Sequence, residues 1–223
     1  MSLDKKRKTS IVFALVGALV IGGVAMDKKE ASAAEQVQIN MEKIDKSIQR
    51  EIREHTDLSF SSNPYDYIQD SEYYDNVIEL GVAALPELEN MLKTSENNGR
   101  NEYIVAIAIE EISHADVNSI LENPDGCGWK NAKEFSGEWA AIKAEANIRV
   151  EKIIQSNALG DKEKVALISD YGVLAVPTIE QYISNKKIGR SGNGLKDELT
   201  QVMNSYGLST EEVSIVSDYI EAK

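Results

Sequence analysis

The chain has a single cysteine, Cys127, in 223 residues, so no disulfide can form within it and its apolar core must hold the fold. A small residue seated in a turn is the plainer reading of that cysteine, and a reactive thiol the sharper one. Two histidines, His55 and His114, are too few for a histidine-rich metal site, and neither belongs to a two-histidine helical zinc motif. No segment alternates apolar and polar residues for long enough to read as a strand. Basic residues are in deficit as well, with 24 Lys and Arg against 37 Asp and Glu, a net charge of −13. Such a surface repels phosphate backbones and anionic headgroups, which disfavours nucleic acid and direct membrane-surface binding and suits a cationic partner. What is present, 42% apolar and 27% charged residues with 4 Pro and 14 Gly, is the composition of one folded globular domain.

The first 33 residues read separately. A basic cluster at 4–8 precedes an unbroken apolar run, Ile11 to Met26, and Ala31-Ser32-Ala33 offers small residues for a signal peptidase, the order of a signal peptide. The run's 16 residues span only ~24 Å as a helix, short of the ~30 Å hydrocarbon layer. Residues 1–33 are therefore expected to be a signal peptide cut before Ala34, with an uncleaved N-terminal anchor as the alternative, and 34–223 a single α-helical domain outside the cytoplasm. Setting aside the six basic and three acidic residues of 1–33 leaves 18 against 34, a net charge of −16.

Helical spacing dominates the remainder. Met41, Ile44, Ile48 and Ile52 draw one stripe along a first helix to about Thr56. A Ser-, Asn- and Pro-rich loop follows at 59–64, and Ser71 can cap a helix through Tyr74, Val77 and Ile78. Gly81 suits a left-handed helix end and Pro86 the first turn of the next helix, which carries Leu88 and Leu92. Tyr103 to Ile112 is apolar nearly all round and reads as a central helix. After a turn at Asn123-Pro124-Asp125-Gly126, a long helix from about Asn131 to Ser156 shows Phe135, Trp139, Ile142, Ala146 and Val150 at three and four apart. Asp161 can cap a further helix, and Ser209 with Glu212 forms a capping box for the last.

The strongest non-local signal is a repeat at an offset of 91 residues: Leu80-Gly81-Val82-Ala83-Ala84-Leu85-Pro86-Glu87-Leu88 aligns with Tyr171-Gly172-Val173-Leu174-Ala175-Val176-Pro177-Thr178-Ile179. A helix, a Gly corner and a Pro-started second helix is a unit that must stack to bury its apolar face. At 71–112 and 161–206 the chain resembles HEAT-like repeats, whose inner turn carries this Gly, Ala and Pro pattern. The family's usual Arg and Asp at the turn are missing and the long helix from Asn131 interrupts the array. The resemblance therefore implies an all-α fold, a compact irregular bundle of HEAT-like helix pairs. The order Asn63-Pro64-Tyr65-Asp66-Tyr67, Leu80 to Pro86, Ile107 to Ile112, Trp129 and Trp139 is also similar to a family of uncharacterised exported bacterial proteins, a likeness that brings no activity with it.

Candidate sites are few. Gly189-Arg190-Ser191-Gly192-Asn193-Gly194 lacks the Lys and Ser/Thr of a phosphate loop and follows a helix, so it reads as a connector, and Asn193 spoils a Gly-x-Ser-x-Gly elbow. Asp116 and Asn118 are followed by Ile120 where a calcium loop needs oxygen. Of the aromatics, Trp139 and Tyr74 lie on core stripes, whereas Tyr65, Tyr67 and Trp129 sit in loops. The expected function is a noncatalytic protein-protein interaction module at the bacterial cell surface or in the medium, contacting its partner through Tyr65, Asp66, Tyr67, Tyr73 and Trp129. No cofactor, metal or catalytic residue is expected. A module for cell-wall saccharides, with Asp66, Asp70 and Glu72 beside those aromatics, is the alternative. An enzyme drawing its acid and base from Glu110, Glu111, His114 and Asp116 ranks third.

Overall fold

The structure is a computed structural model that describes residues 31–121, 129–184 and 193–222. The N-terminal segment 1–30, the turn at 123–126, Cys127 and residues 189–192 of the glycine-rich stretch lie outside those residues.

Helix α1, Ala33–Glu54, begins where Ser32 and Glu35 close a capping box, the Ser32 hydroxyl accepting the Glu35 N–H and the Glu35 carboxylate accepting the Ser32 N–H. Its stripe of Val37, Met41, Ile44 and Ile48 is buried, while Ile52, one turn further on, is exposed near the helix end. The helix stops at His55 in the left-handed conformation, φ 50°. Two 3-10 turns, Asp57–Phe60 and Pro64–Tyr67, lead to α2, Glu72–Glu79, which Ser71 caps as its sequence position suggests. A third 3-10 turn, Gly81–Ala84, then joins α3, Leu85–Thr94, with Pro86 in its first turn. Arg100–Ser113 forms α4, and Val117–Ile120 the single turn α5.

The long helix α6 is Ala132–Gln155, capped by Asn131. Next come α7 (Asp161–Ser169), a 3-10 turn (Gly172–Ala175), α8 (Val176–Ser184), α9 (Asn193–Ser205) and α10 (Thr210–Glu221). The N-cap of α7 is Gly160 rather than Asp161, because the Glu163 carboxylate takes the Gly160 N–H at 2.9 Å and draws the chain into the helix one residue earlier. Ser209 and Glu212 do close a capping box at α10. Among the described residues no strand occurs, and the ten helices pack into a compact all-α bundle.

The repeat in sequence is a repeat in structure. The series α2, 3-10 turn, α3, α4 recurs as α7, 3-10 turn, α8, α9, with the turns at Gly81–Ala84 and Gly172–Ala175 in register. Each turn begins with a glycine at positive φ, 56° and 54°, a conformation that costs a side-chain-bearing residue about 1 kcal/mol. Helix α6 lies between the two copies and packs on α3, α4, α7 and α8, while α10 packs on α6, α8 and both glycine turns.

The two glycines differ in what surrounds them. A Cβ on Gly172 would fall 2.0 Å from the Ser113 carbonyl oxygen and 2.7 Å from the Ala115 nitrogen, whereas one on Gly81 would meet nothing nearer than a Glu212 carboxylate oxygen at 3.5 Å. Beside this contact the Asp116 N–H donates to the Asp170 carbonyl at 2.8 Å, so the second copy abuts the end of α4 backbone to backbone. Gly172→Ala is expected to cost about 2–4 kcal/mol, conformational strain plus overpacking, against about 1 kcal/mol for Gly81→Ala. Thermal melts should show it as a loss of roughly 6–12 °C against a few degrees, and equal losses would contradict the contact.

Candidate interaction surface

Three aromatic residues of the predicted contact set enter from the segment 57–73. Asn63 accepts the Tyr65 N–H, and the Asp66 carboxylate takes the Ser61 hydroxyl and the Asn63 amide at 2.5 and 3.1 Å. The turn is thereby locked by its own side chains. Tyr67 is not open as its loop position suggests: it is buried, its hydroxyl lies 2.7 Å from the Leu58 carbonyl and 3.1 Å from that of Ser61, and the Arg100 guanidinium covers its ring at 4.1 Å. This inward anchor leaves Phe60, 78% exposed, and Tyr65, 53% exposed, on the outside. A polar hollow of about 440 Å³ is lined by Arg50, Asp66, Tyr67, Asp70, Glu72 and Tyr73 among others, and neither Phe60 nor Tyr65 enters it. The Tyr73 ring carries the Lys43 ammonium at 5.1 Å.

Helix α4 supplies the second half of the surface. Trp129, like Tyr67, is buried and not a free loop residue, because its ring packs on Tyr103 at 4.2 Å and on Phe135 at 4.9 Å, just ahead of α6. Burial pushes the Glu110 carboxyl above its ordinary pKa and the Asp116 charge adds to this, opposed by hydrogen bonds from the Trp129 indole and the Val117 backbone. Glu111 accepts the Tyr74 hydroxyl at 2.8 Å, and burial together with that bond raises the tyrosine's pKa. Tyr65 is raised too, by burial first and then by the charges of Glu110 and, more weakly, Glu111. The half-exposed Tyr65 ring thus stands in the field of two carboxylates.

Asp116 and His114, named for acid-base work, each have a local structural role. Asp116 caps α5 through the Ser119 N–H and hydroxyl, both at 2.9 Å. His114 ends α4 at φ 55° and stacks on Tyr206 at 5.6 Å. Burial raises that tyrosine's pKa to about 12. Among the described residues no group of three or more His, Cys, Asp or Glu is placed to hold a metal ion.

The structure adds a charged cluster that the sequence reading passes over. Glu89 of α3, 4% exposed, pairs with Lys143 of α6, 7% exposed, at 2.7 Å and with Lys93 at 2.5 Å. The Trp139 indole donates to the Tyr219 hydroxyl at 2.8 Å, and the Lys143 ammonium lies over the Tyr219 ring at 4.3 Å. Burial pushes the Glu89 carboxyl up, yet hydrogen bonds from Lys143, Lys93 and Tyr219 outweigh it and hold it below the usual carboxylate range. The available signal was Lys143 itself, one turn after Trp139 on the buried side of α6. Phe60 was missed because an apolar residue in a polar loop does not announce its exposure.

No protein-family model matches the chain, and neither does any curated protein or solved structure.

Opposite pH behaviour is expected of the two carboxylates. Glu89, depressed in the fold, contributes stability that is present above its unfolded value near ~4.3 and is lost as pH falls through its lower folded pKa. Glu110, raised in the fold, opposes folding when ionised, so its penalty is relieved as pH falls through the raised pKa. Urea unfolding from pH 7 to 3 should therefore show Glu110→Gln more stable than the parent at pH 7 and no better at the acid end. Glu89→Ala should cost about 3–5 kcal/mol at pH 7 by stranding Lys143, and Glu89→Leu with Lys143→Met should recover most of it. A double variant as weak as the single one would refute the pairing argument.

Proposed function

We propose that this protein is a noncatalytic interaction module of HEAT-like helix pairs, exported to the bacterial cell surface or medium, that holds a protein partner through basic side chains. The observation that carries the reading is the Tyr65 ring, half exposed on a turn that packs against α4, in a chain whose net charge is −13. An exposed aromatic face on an acidic protein suits a lysine or arginine, which gains from the ring quadrupole and from the charge together. Neighbouring rings illustrate the preference, since Tyr67 and Tyr73 already carry Arg100 and Lys43. Phe60 extends the surface with an apolar anchor of the kind that dominates interface energetics. The resemblance of 71–112 and 161–206 to HEAT-like repeats, and the signal-like segment 1–33, support the fold family and the export.

A second reading, a module for cell-wall saccharides, is favoured by one feature: the hollow where Asp66, Asp70 and Glu72 meet the Tyr73 ring, a polar pocket with an aromatic wall. The test that separates the two is a photoreactive phenylalanine analogue at position 65, compared in living cells with the same group at Leu167, an exposed position on α7. One protein joined through a basic segment from position 65 alone, with an adduct that fades as salt rises, is the expected result. Recovery of unattached protein, or equal labelling from both positions, would sink the protein-partner reading. Saturable binding to purified wall, lost in Tyr73→Ala, would then install the saccharide reading.

A further inference from the structure

Between α1, α3 and α4 runs a groove that the Tyr65 surface does not share. Its deeper part, about 410 Å³, has an apolar floor in which Met91 is partly exposed over the buried Met41, Leu92 and Val105. A separate hollow that shares Asn101 and Glu102 with it is lined by Ile48, Gln49 and Arg100 among others. Along α1 the deeper part runs from Gln38 to Asp45, about 10 Å or roughly two turns of helix. Val105 and Asn101 project from the side of α4 opposite Tyr103 and Glu110, since each residue advances 100° around the helix.

We infer that this groove receives an amphipathic basic helix of a partner protein. Its length matches the i, i+4 anchors of a helix laid into an apolar groove, and the partly exposed Met91 gives a soft contact that adapts to the side chains it meets. Charge selects the occupant. The deeper part is lined by three carboxylates, Glu42, Asp45 and Glu102, with no lysine or arginine. Asp45 accepts the Asn101 amide at 2.6 Å and Glu102 the Ser95 hydroxyl at 2.8 Å, which leaves lone pairs on both for a further donor. Glu42 pairs with Lys46 at 2.6 Å, but both side chains are more than 60% exposed, and such a pair exchanges readily for another. A second copy of this acidic chain, or an anionic lipid headgroup, would bring like charge against the rim.

The chain's five methionines, Met1, Met26, Met41, Met91 and Met203, make the test direct. The full chain, labelled with carbon-13 at the methionine methyls, is titrated with a synthetic amphipathic peptide of leucine and lysine about fourteen residues long, and with its twin carrying glutamate in place of lysine. The Met41 and Met91 methyls should shift saturably with the basic peptide and hardly at all with the acidic one, while Met203 stays put. Glu42→Lys should weaken binding roughly fivefold or more at low salt with an unchanged circular dichroism spectrum. Tyr65→Ser should leave the titration as it is, which keeps this proposal separate from the Tyr65 surface. No movement of Met41 and Met91, equal movement with the acidic twin, or an unaltered affinity in Glu42→Lys would overturn it. Shifts that grow with protein concentration in the absence of peptide would overturn it in favour of a second copy.

Discussion

The close approach of Gly172 to the end of α4 is the constraint on which the arrangement of the two copies rests. With a carbonyl oxygen 2.0 Å from where a Cβ would stand, the second copy can come near enough for the Asp116 N–H to reach the Asp170 carbonyl. That backbone contact fixes α7 and its turn against α4. It also sets the space that α6 fills between the copies and the line along which α10 crosses both glycine turns. The left-handed residues His114 and Gly172 face each other across this joint, one ending a helix of the first copy and the other opening the turn of the second. Two tight reversals meeting at one point explain why the copies are packed side by side.

Through the middle of that packing runs a column of rings, Tyr103, Trp129, Phe135 and Trp139, with centroids 4.2, 4.9 and 5.9 Å apart. Each indole N–H must find a partner once buried, and the two are used at opposite ends. Trp129 lies at the Tyr103 end and lowers the Glu110 pKa, and Trp139 donates to Tyr219 beside Glu89 and Lys143. The column is apolar along its length and anchored by a carboxylate environment at either end. The proposed surface is therefore backed by rigid core and not by a loop alone, which favours a preformed contact face.

Much of this was legible in the sequence, and the reasons are local. The glycines at 81 and 172, the cap at Ser71 and the Ser209 and Glu212 box act within a few residues of themselves, so spacing reveals them. The all-α class followed from helical periodicity and from the duplicated corner. Tyr67 and Trp129 resisted because their burial is decided by Arg100 and by Tyr103 and Phe135, partners that the chain brings close only once folded. Glu89 and Lys143 resisted for the same reason: 54 residues apart, each reads alone as a solvated charge on a helix face. Asp161 lost its capping place to a contest between neighbours that Glu163 settled. Of the proposed surface, Tyr65, Asp66 and Tyr73 can be nominated from their loop and its composition, whereas the exposure of Phe60 is set by the fold.

Tyr219 has a consequence for how the chain reaches this state. It completes a cluster begun by Glu89, and Trp139 waits 80 residues for its hydroxyl. A chain emerging from its N-terminal end thus makes the Glu89 and Lys143 pair long before the ring that covers Lys143 exists. Until α10 arrives that pair stays wet and the column's last indole lacks its acceptor, so the bundle gains its final cooperativity late in synthesis. Removing the last helix therefore uncovers a buried charge and an indole N–H at once, far in sequence from the residues that the cut itself takes away.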